Sequence, residues 1–319
     1  MRPVWPFKKR VKDPPTLTPP RRSPNSDAHP DFLCIGAQKS GTTWLYQQLH
    51  LHPDFWMPPR KELHYFDQLG HAQLFGPPRK EDERDLRFLE AMKKLSDEPF
   101  IDLEGYAQLF ELKGSLISGD ITPAYSTLNE EIISQIVRRF PKLKVIFLAR
   151  DPVERALSQL SMDVGLGVSK PFNVADTDEV IQKLLQPGVL VRSHPSMILA
   201  RWRRYVDPDQ FRVHFFEELE QAPAALFSSI VRFLGGDPGK TRARLNGKNK
   251  VNSKGKLQFS DQVRSDVARF FEPELKACAA ELGGPATAWP ARYGLSVLMF
   301  FFSIFENILD LGESFDWAL

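Results

Sequence analysis

Residues 31–49 read DFLCIGAQKSGTTWLYQQL. The run Phe32 to Gly36 has no polar alternation, so as a strand it must be covered on both faces, as in a parallel sheet flanked by helices. It leads through Gly36 and Gly41 into the helical pattern TTWLYQQLH. A glycine turn feeding a helix N-terminus aims free N–H groups and the positive end of the helix dipole at one point, where an anion binds. Ser40, Thr42 and Thr43 add hydroxyls there, and Gly41 lets backbone approach closely. The two glycines have the spacing of the triphosphate loop G-x-x-x-x-G-K-[ST]. Here, however, Thr42 holds the lysine position, and Lys39 stands before the glycine. A kinase or other NTPase needs the lysine after Gly41 and an acidic strand end for a divalent cation.

The rest of the chain extends this strand–helix theme. EEIISQIVRRF (130–140) is amphipathic at helical spacing, KVIFLAR (144–150) is a second strand, and PVERALSQLSMD (152–163) is a helix with proline in its first turn. ILARWRRYV, FRVHFFEEL and PAALFSSIVRFLG read as helix, strand and helix. SDQVRSDVARFFEPELKACAAELG reads as a helix capped by Ser260 that breaks near Pro273. The expectation is an α/β fold, a mostly parallel central sheet with helices on both faces and ligand at the carboxyl ends of the strands. Residues 68–105 read as an insertion over the sheet edge, with one helix around 81–95. Residues 1–29 are basic and proline-rich and read as a disordered tail. The domain then spans 30–290, and 291–319 forms an apolar helical extension. Its run LSVLMFFFSIF is 11 residues long, whereas a spanning helix needs about 20. It therefore suits docking on the body, on a second copy, or on a membrane surface.

Composition narrows the function. A net charge of +2 on 319 residues argues against nucleic acid as a partner. Cys34 and Cys278 sit in apolar surroundings and read as buried reduced thiols. His50, His52 and His64 show no metal-ligand spacing, so no metal is expected.

The second strand also ends in anion-binding residues. Arg150 closes it and Ser158 follows two helical turns later, with Arg155 between them. Taken alone, Arg150 and Arg155 suit surface ion pairs with Asp151 and Glu154. Two phosphate sites on strand ends together suit a nucleotide with phosphates at separate ribose positions.

GAQKSGTTW followed by RDPVERALS resembles the sulfotransferases that use 3′-phosphoadenosine 5′-phosphosulfate (PAPS), which share a P-loop-like fold. The resemblance covers roughly residues 30–290. It implies that Lys39, Ser40, Gly41, Thr42 and Thr43 hold the 5′-phosphate end, that Trp44 stacks on adenine, and that Arg150 with Ser158 holds the 3′-phosphate. NSKGK (252–256) resembles the late loop that closes over the nucleotide, which makes Lys254, Gly255 and Lys256 candidates. MPPRKELHYFDQL (57–69) is similar to a segment of glycan sulfotransferases, including the heparan sulfate glucosaminyl 3-O type. There the glutamate is the general base, which matches Glu62, while His64 and Asp67 match accompanying residues. His64 is the alternative base. Lys39 would assist departure of adenosine 3′,5′-bisphosphate (PAP).

Two departures weigh against a polyanionic acceptor. Ile121 and Thr43 replace a lysine and an arginine of the heparan-modifying enzymes. With no signal-anchor pattern, the expectation is a cytoplasmic enzyme, soluble or peripheral at a membrane surface. Its acceptor is a hydroxyl or amine on a sugar, glycolipid or small molecule.

Overall fold

The computed structural model describes residues 28–67, 78–241 and 256–296. Among these, the strands β1 (Phe32–Gly36), β2 (Gly119–Ile121), β3 (Lys144–Ala149) and β4 (Phe211–Phe215) form one parallel sheet in the order β2-β1-β3-β4. The helices in chain order are α1 (Thr42–His50), α2 (Glu83–Ser96), α3 (Leu103–Gln108), α4 (Glu130–Arg139), α5 (Pro152–Gly165) and α6 (Thr177–Leu184). They continue with α7 (Pro187–Leu190), α8 (Pro195–Arg203), α9 (Phe216–Gln221), α10 (Pro223–Leu234), α11 (Asp261–Phe270) and α12 (Glu272–Leu282).

The unbroken apolar runs of β1 and β3 are explained by two core layers. Successive side chains on a strand point to opposite faces. Leu33, Ile35, Val145 and Phe147 enter the larger cluster, with α4, α5, α8 and α12. Phe32, Cys34, Ile146 and Leu148 enter a smaller one, beneath α1 and α10. Strand order turns back between β1 and β3, the switch point at which open α/β sheets leave a crevice for ligands. The loops after these two strands are the ones that carry Lys39 and Arg150.

Local chemistry sets the helix starts. Asn129, Asp151 and Ser260 each accept a hydrogen bond from an amide in the first turn of the helix that follows. Pro273 lies at the start of α12, so the predicted break falls there. The FRVHFFEEL strand is shorter than expected. It stops at Phe215, whose N–H donates to the Glu218 carboxylate at 2.7 Å and opens α9. The three-residue β2 and the helices α6 and α7 were not anticipated. Three residues carry no readable period, and the middle one of β2 is Asp120.

The insertion packs Phe88, Met92 and Leu95 of α2 into the larger core beside Trp56. Arg79 fastens it, with two 3.0 Å hydrogen bonds to the buried Asp85 and one of 2.9 Å to the Met57 carbonyl. At the other end, the Tyr293 hydroxyl donates to Asp151 at 2.9 Å. Residues 291–296, grouped with the extension by sequence, thus include a contact onto the domain. The remainder of that extension, and residues 1–27 of the tail, lie outside the described residues. Cys34 and Cys278 are free and buried. Among the described residues no helix is long and apolar enough to cross a membrane.

Candidate active site

The loop after β1 is built to meet an anion. Gly41 caps α1 at φ 90° without a side-chain hydrogen bond, which leaves the opening amides of the helix to another partner. Leu219 of α9 crowds the place where a Cβ at Gly41 would stand. Glycine is therefore required twice over, for its torsion and for this close approach. Ser40 is 1% exposed, and its Oγ makes no hydrogen bond among the described residues. A buried hydroxyl left in that state is expensive unless a ligand completes it. Thr42 is buried and Thr43 half-buried.

Arg150, just after β3, ties the loop after β3 to the loop after β1. Its Nη1 donates to the Lys39 carbonyl at 2.5 Å, and its guanidinium lies 4.3 Å from the Phe216 ring centre of α9. Phe216 was missed because its segment read as strand. Lys39 itself has φ 71°. Burial first, then the charges of Arg150 and Lys256, pull its pKa down. Lys254 and Gly255 lie outside the described residues. Ser158 is half-buried on α5.

Two sequence candidates sit deeper than expected. Trp44 is only 6% exposed and packs edge-on against Phe227 at 6.1 Å in the smaller core. Most of its ring is committed to packing. Arg155 is not a surface residue at all. It is fully buried and donates to Ser193 Oγ, Gln159 Oε1 and the Val189 carbonyl at 2.6–3.1 Å, tying α5 to the α7 region. Burial, with Arg192 and Arg150 nearby, pushes its pKa down to about 9.

Glu62, His64 and Asp67 form a relay beside the end of β2. The Glu62 amide donates to the Ile121 carbonyl at 3.2 Å. His64 Nε2 lies 3.4 Å from Glu62 Oε2, and His64 Nδ1 lies 2.8 Å from Asp67 Oδ2. Lys61 pairs with the other Glu62 oxygen. Burial would raise the Glu62 carboxyl, but the bond to His64 and the Lys61 ammonium outweigh it and hold the pKa at about 2. Burial would lower His64, but Asp67 and Glu62 outweigh it and lift the imidazole to about 9. At neutral pH, then, Glu62 is ionised and His64 is charged between two carboxylates. The side chain of Glu62 is 29% exposed against 7% for His64, so a diffusing group reaches the glutamate. Ile121, 2% exposed, belongs to the smaller core and presents no charge here.

The chain has recognisable relatives. It is 30% identical over 139 residues to the membrane-associated sulfotransferase kil1 of Dictyostelium discoideum, covering 42% of this chain and 23% of that protein. It is 23% identical over 305 residues to the human bifunctional heparan sulfate N-deacetylase/N-sulfotransferase 2, covering 82% of this chain and 31% of that protein. The chain thus spans a third or less of the curated relatives it matches. Among solved structures, a sulfotransferase from Alicyclobacillus acidocaldarius superposes with a TM-score of 0.59 at 22% identity, over 82% of this chain and 99% of the other. That likeness confirms the fold. The sulfotransferase family model matches residues 30–237, well over half of the chain and inclusive of the loops after β1 and β3 and the Glu62 segment. On that match the chain belongs to the sulfotransferase family.

Proposed function

We propose that this protein moves a sulfuryl group from PAPS to a hydroxyl or amine of a carbohydrate, lipid or small-molecule acceptor. The observation that carries the reading is Arg150 held against the Lys39 carbonyl, beside an uncapped helix start and a buried Ser40 hydroxyl that has no partner among the described residues. Cations and donors so arranged fit a nucleotide with two separate anionic ends. Lys39, Ser40, Gly41, Thr42 and Thr43 would hold the 5′ end, and Arg150 and Ser158 the 3′-phosphate. Lys254, Gly255 and Lys256 would close over it, and Trp44 would offer the base its exposed edge. The bound donor supplies an activated sulfate joined to phosphate through a bridging oxygen.

The chain's own groups do the rest. Lys39 would neutralise charge that develops on that oxygen. Glu62, ionised and accessible, takes the acceptor proton. His64 orients Glu62 and balances its charge. A general base of this kind contributes roughly 10²–10⁴-fold. The names of the relatives, one a heparan sulfate N-sulfotransferase and one membrane-associated, support a glycan or membrane-presented acceptor. A cytoplasmic enzyme peripheral to a membrane, with no nucleic-acid partner, fits this reading.

Thermal shift with PAP against ATP tests the nucleotide. PAP is expected to stabilise the protein more, and preferential stabilisation by ATP would refute the proposal. Labelled-sulfate transfer from PAPS to glucosamine, octyl glucoside, a galactosyl lipid and p-nitrophenol then identifies the acceptor class. With the best acceptor of that panel, E62Q is expected to lose about 10²-fold or more in kcat. Undiminished transfer by E62Q would remove Glu62 from the role of base.

A further inference from the structure

Glu62 and His64 both adopt left-handed backbone, at φ 63° and 54°. Non-glycine residues occupy this region only where surrounding structure over-determines it, and two in one short segment mark a loop held against its own preference. The holding group lies underneath. Asp120 of β2 is 1% exposed. Its Oδ2 accepts from the Tyr106 hydroxyl at 3.0 Å and the Tyr125 hydroxyl at 2.7 Å. Its Oδ1 accepts from Thr122 Oγ1 at 2.7 Å. The Tyr125 oxygen in turn accepts from the Tyr65 amide at 3.1 Å.

Two anchors therefore clamp the loop onto the end of β2. The Glu62 amide is held by the Ile121 carbonyl, and the Tyr65 amide by the Tyr125 hydroxyl that Asp120 orients. His64 sits between two anchored amides. Every group around Asp120 is a donor, and only a carboxylate supplies acceptors alone. An asparagine there would turn an NH₂ toward at least one of them.

We propose that Asp120, acting through Tyr125, is the positioning residue of the acceptor base: it fixes the left-handed turn that aims Glu62 and His64 at each other. The inference rests on the reading of Glu62 as that base. Asp120 touches neither nucleotide loop among the contacts described above, so its effect is on the base and not on the nucleotide.

The test compares D120N and Y125F with Y106F, which removes one donor to Asp120 but leaves both loop anchors. The His64 imidazole, assigned with H64Q, is titrated by NMR; its charged neighbours are Glu62 and Asp67. PAP affinity is measured by calorimetry, and labelled-sulfate transfer uses the best acceptor of the panel above. In D120N and Y125F the His64 midpoint is expected to fall by about a unit or more toward the ordinary imidazole range. Transfer kcat should fall roughly tenfold or more, with PAP affinity held within about threefold. Y106F should match the parent in all three. The proposal is overturned if His64 titrates unchanged in both variants, or if PAP affinity falls in step with kcat. Should D120N fail to fold, Y125F alone decides, since it keeps the carboxylate and a near-isosteric ring. E62Q separates the two readings: full transfer by E62Q refutes Glu62 as the base, while the His64 titration still decides whether Asp120 sets the loop.

Discussion

Arg150→Ala isolates what the second strand end contributes. The Arg150 side chain is 12% exposed, and its nearest carboxylate, Glu154, lies 3.9 Å away and is already paired with Arg264 of α11. One N–H serves the Lys39 carbonyl. A guanidinium has five N–H donors in a planar fork, which leaves capacity for a phosphate. A hydrogen bond to a charged group contributes about 1.5–3 kcal/mol. At 1.4 kcal/mol per decade, PAP should bind R150A about 10–150-fold more weakly. Because Arg150 also steadies the Lys39 loop, adenosine 5′-monophosphate is the necessary control. It shares the 5′ end and lacks the 3′-phosphate, so its affinity should change by less than about threefold by the same reckoning. Calorimetry with both nucleotides measures the difference. Equal weakening of the two would show that Arg150 acts only through the loop and would refute its assignment to the 3′-phosphate.

Three further outcomes are expected. His64 is lifted from 6.5 to about 9, so its contribution to stability is complete below pH 6.5 and is lost as pH rises through 9. Glu62 is held at about 2 rather than 4.5, so its contribution is present above pH 4.5 and is lost as pH falls toward 2. Denaturant titrations of H64Q and the parent should therefore differ most between pH 4.5 and 6.5 and converge above pH 9; a pH-independent gap would contradict the ion-pair account. Gly41→Ala forces an L-residue to φ 90° against Leu219, and should cost about 1–2 kcal/mol while weakening PAP binding. Unchanged melting and unchanged PAP affinity would show that the loop tolerates a side chain. Arg79→Ala strands the buried Asp85 carboxylate. A loss of about 3–5 kcal/mol is expected, read as a fall of roughly 6–20 °C in Tm, and R79M/D85N should recover part of it.

How much of this could be read from residues alone varies by feature. The strand-to-helix junction at Gly36–Trp44 was legible because its signals are local. An apolar run, a glycine needing positive φ and a cluster of hydroxyls follow one another within Phe32–Thr43. Arg150 was legible for the same reason, as a charge ending an apolar strand. Phe216 was not, since nothing in FRVHFFEEL marks where the strand gives way to a helix until Glu218 folds back on Phe215. Arg155 looked like a surface charge beside Glu154. Only the packing of α5 against the Val189–Ser193 segment made it a buried brace with neutral acceptors.

The sequence by itself determined the α/β class, the glycine turn into α1 with its lysine ahead of Gly41, and the placing of Glu62 and His64 on one segment. It could not set the geometry of that segment. Glu62 and His64 alternate with Leu63 and Tyr65, which in an extended stretch would put both side chains on one side, whereas the chain runs through two left-handed residues to bring them together. No residue within 57–69 demands that conformation. It is imposed by Asp120 and Tyr125, about 60 residues away in the chain, through a short strand too brief to announce itself. Local pattern fixes what a few neighbouring torsions prefer. Which of them are overruled depends on buried hydrogen-bond partners that only the folded chain brings within reach.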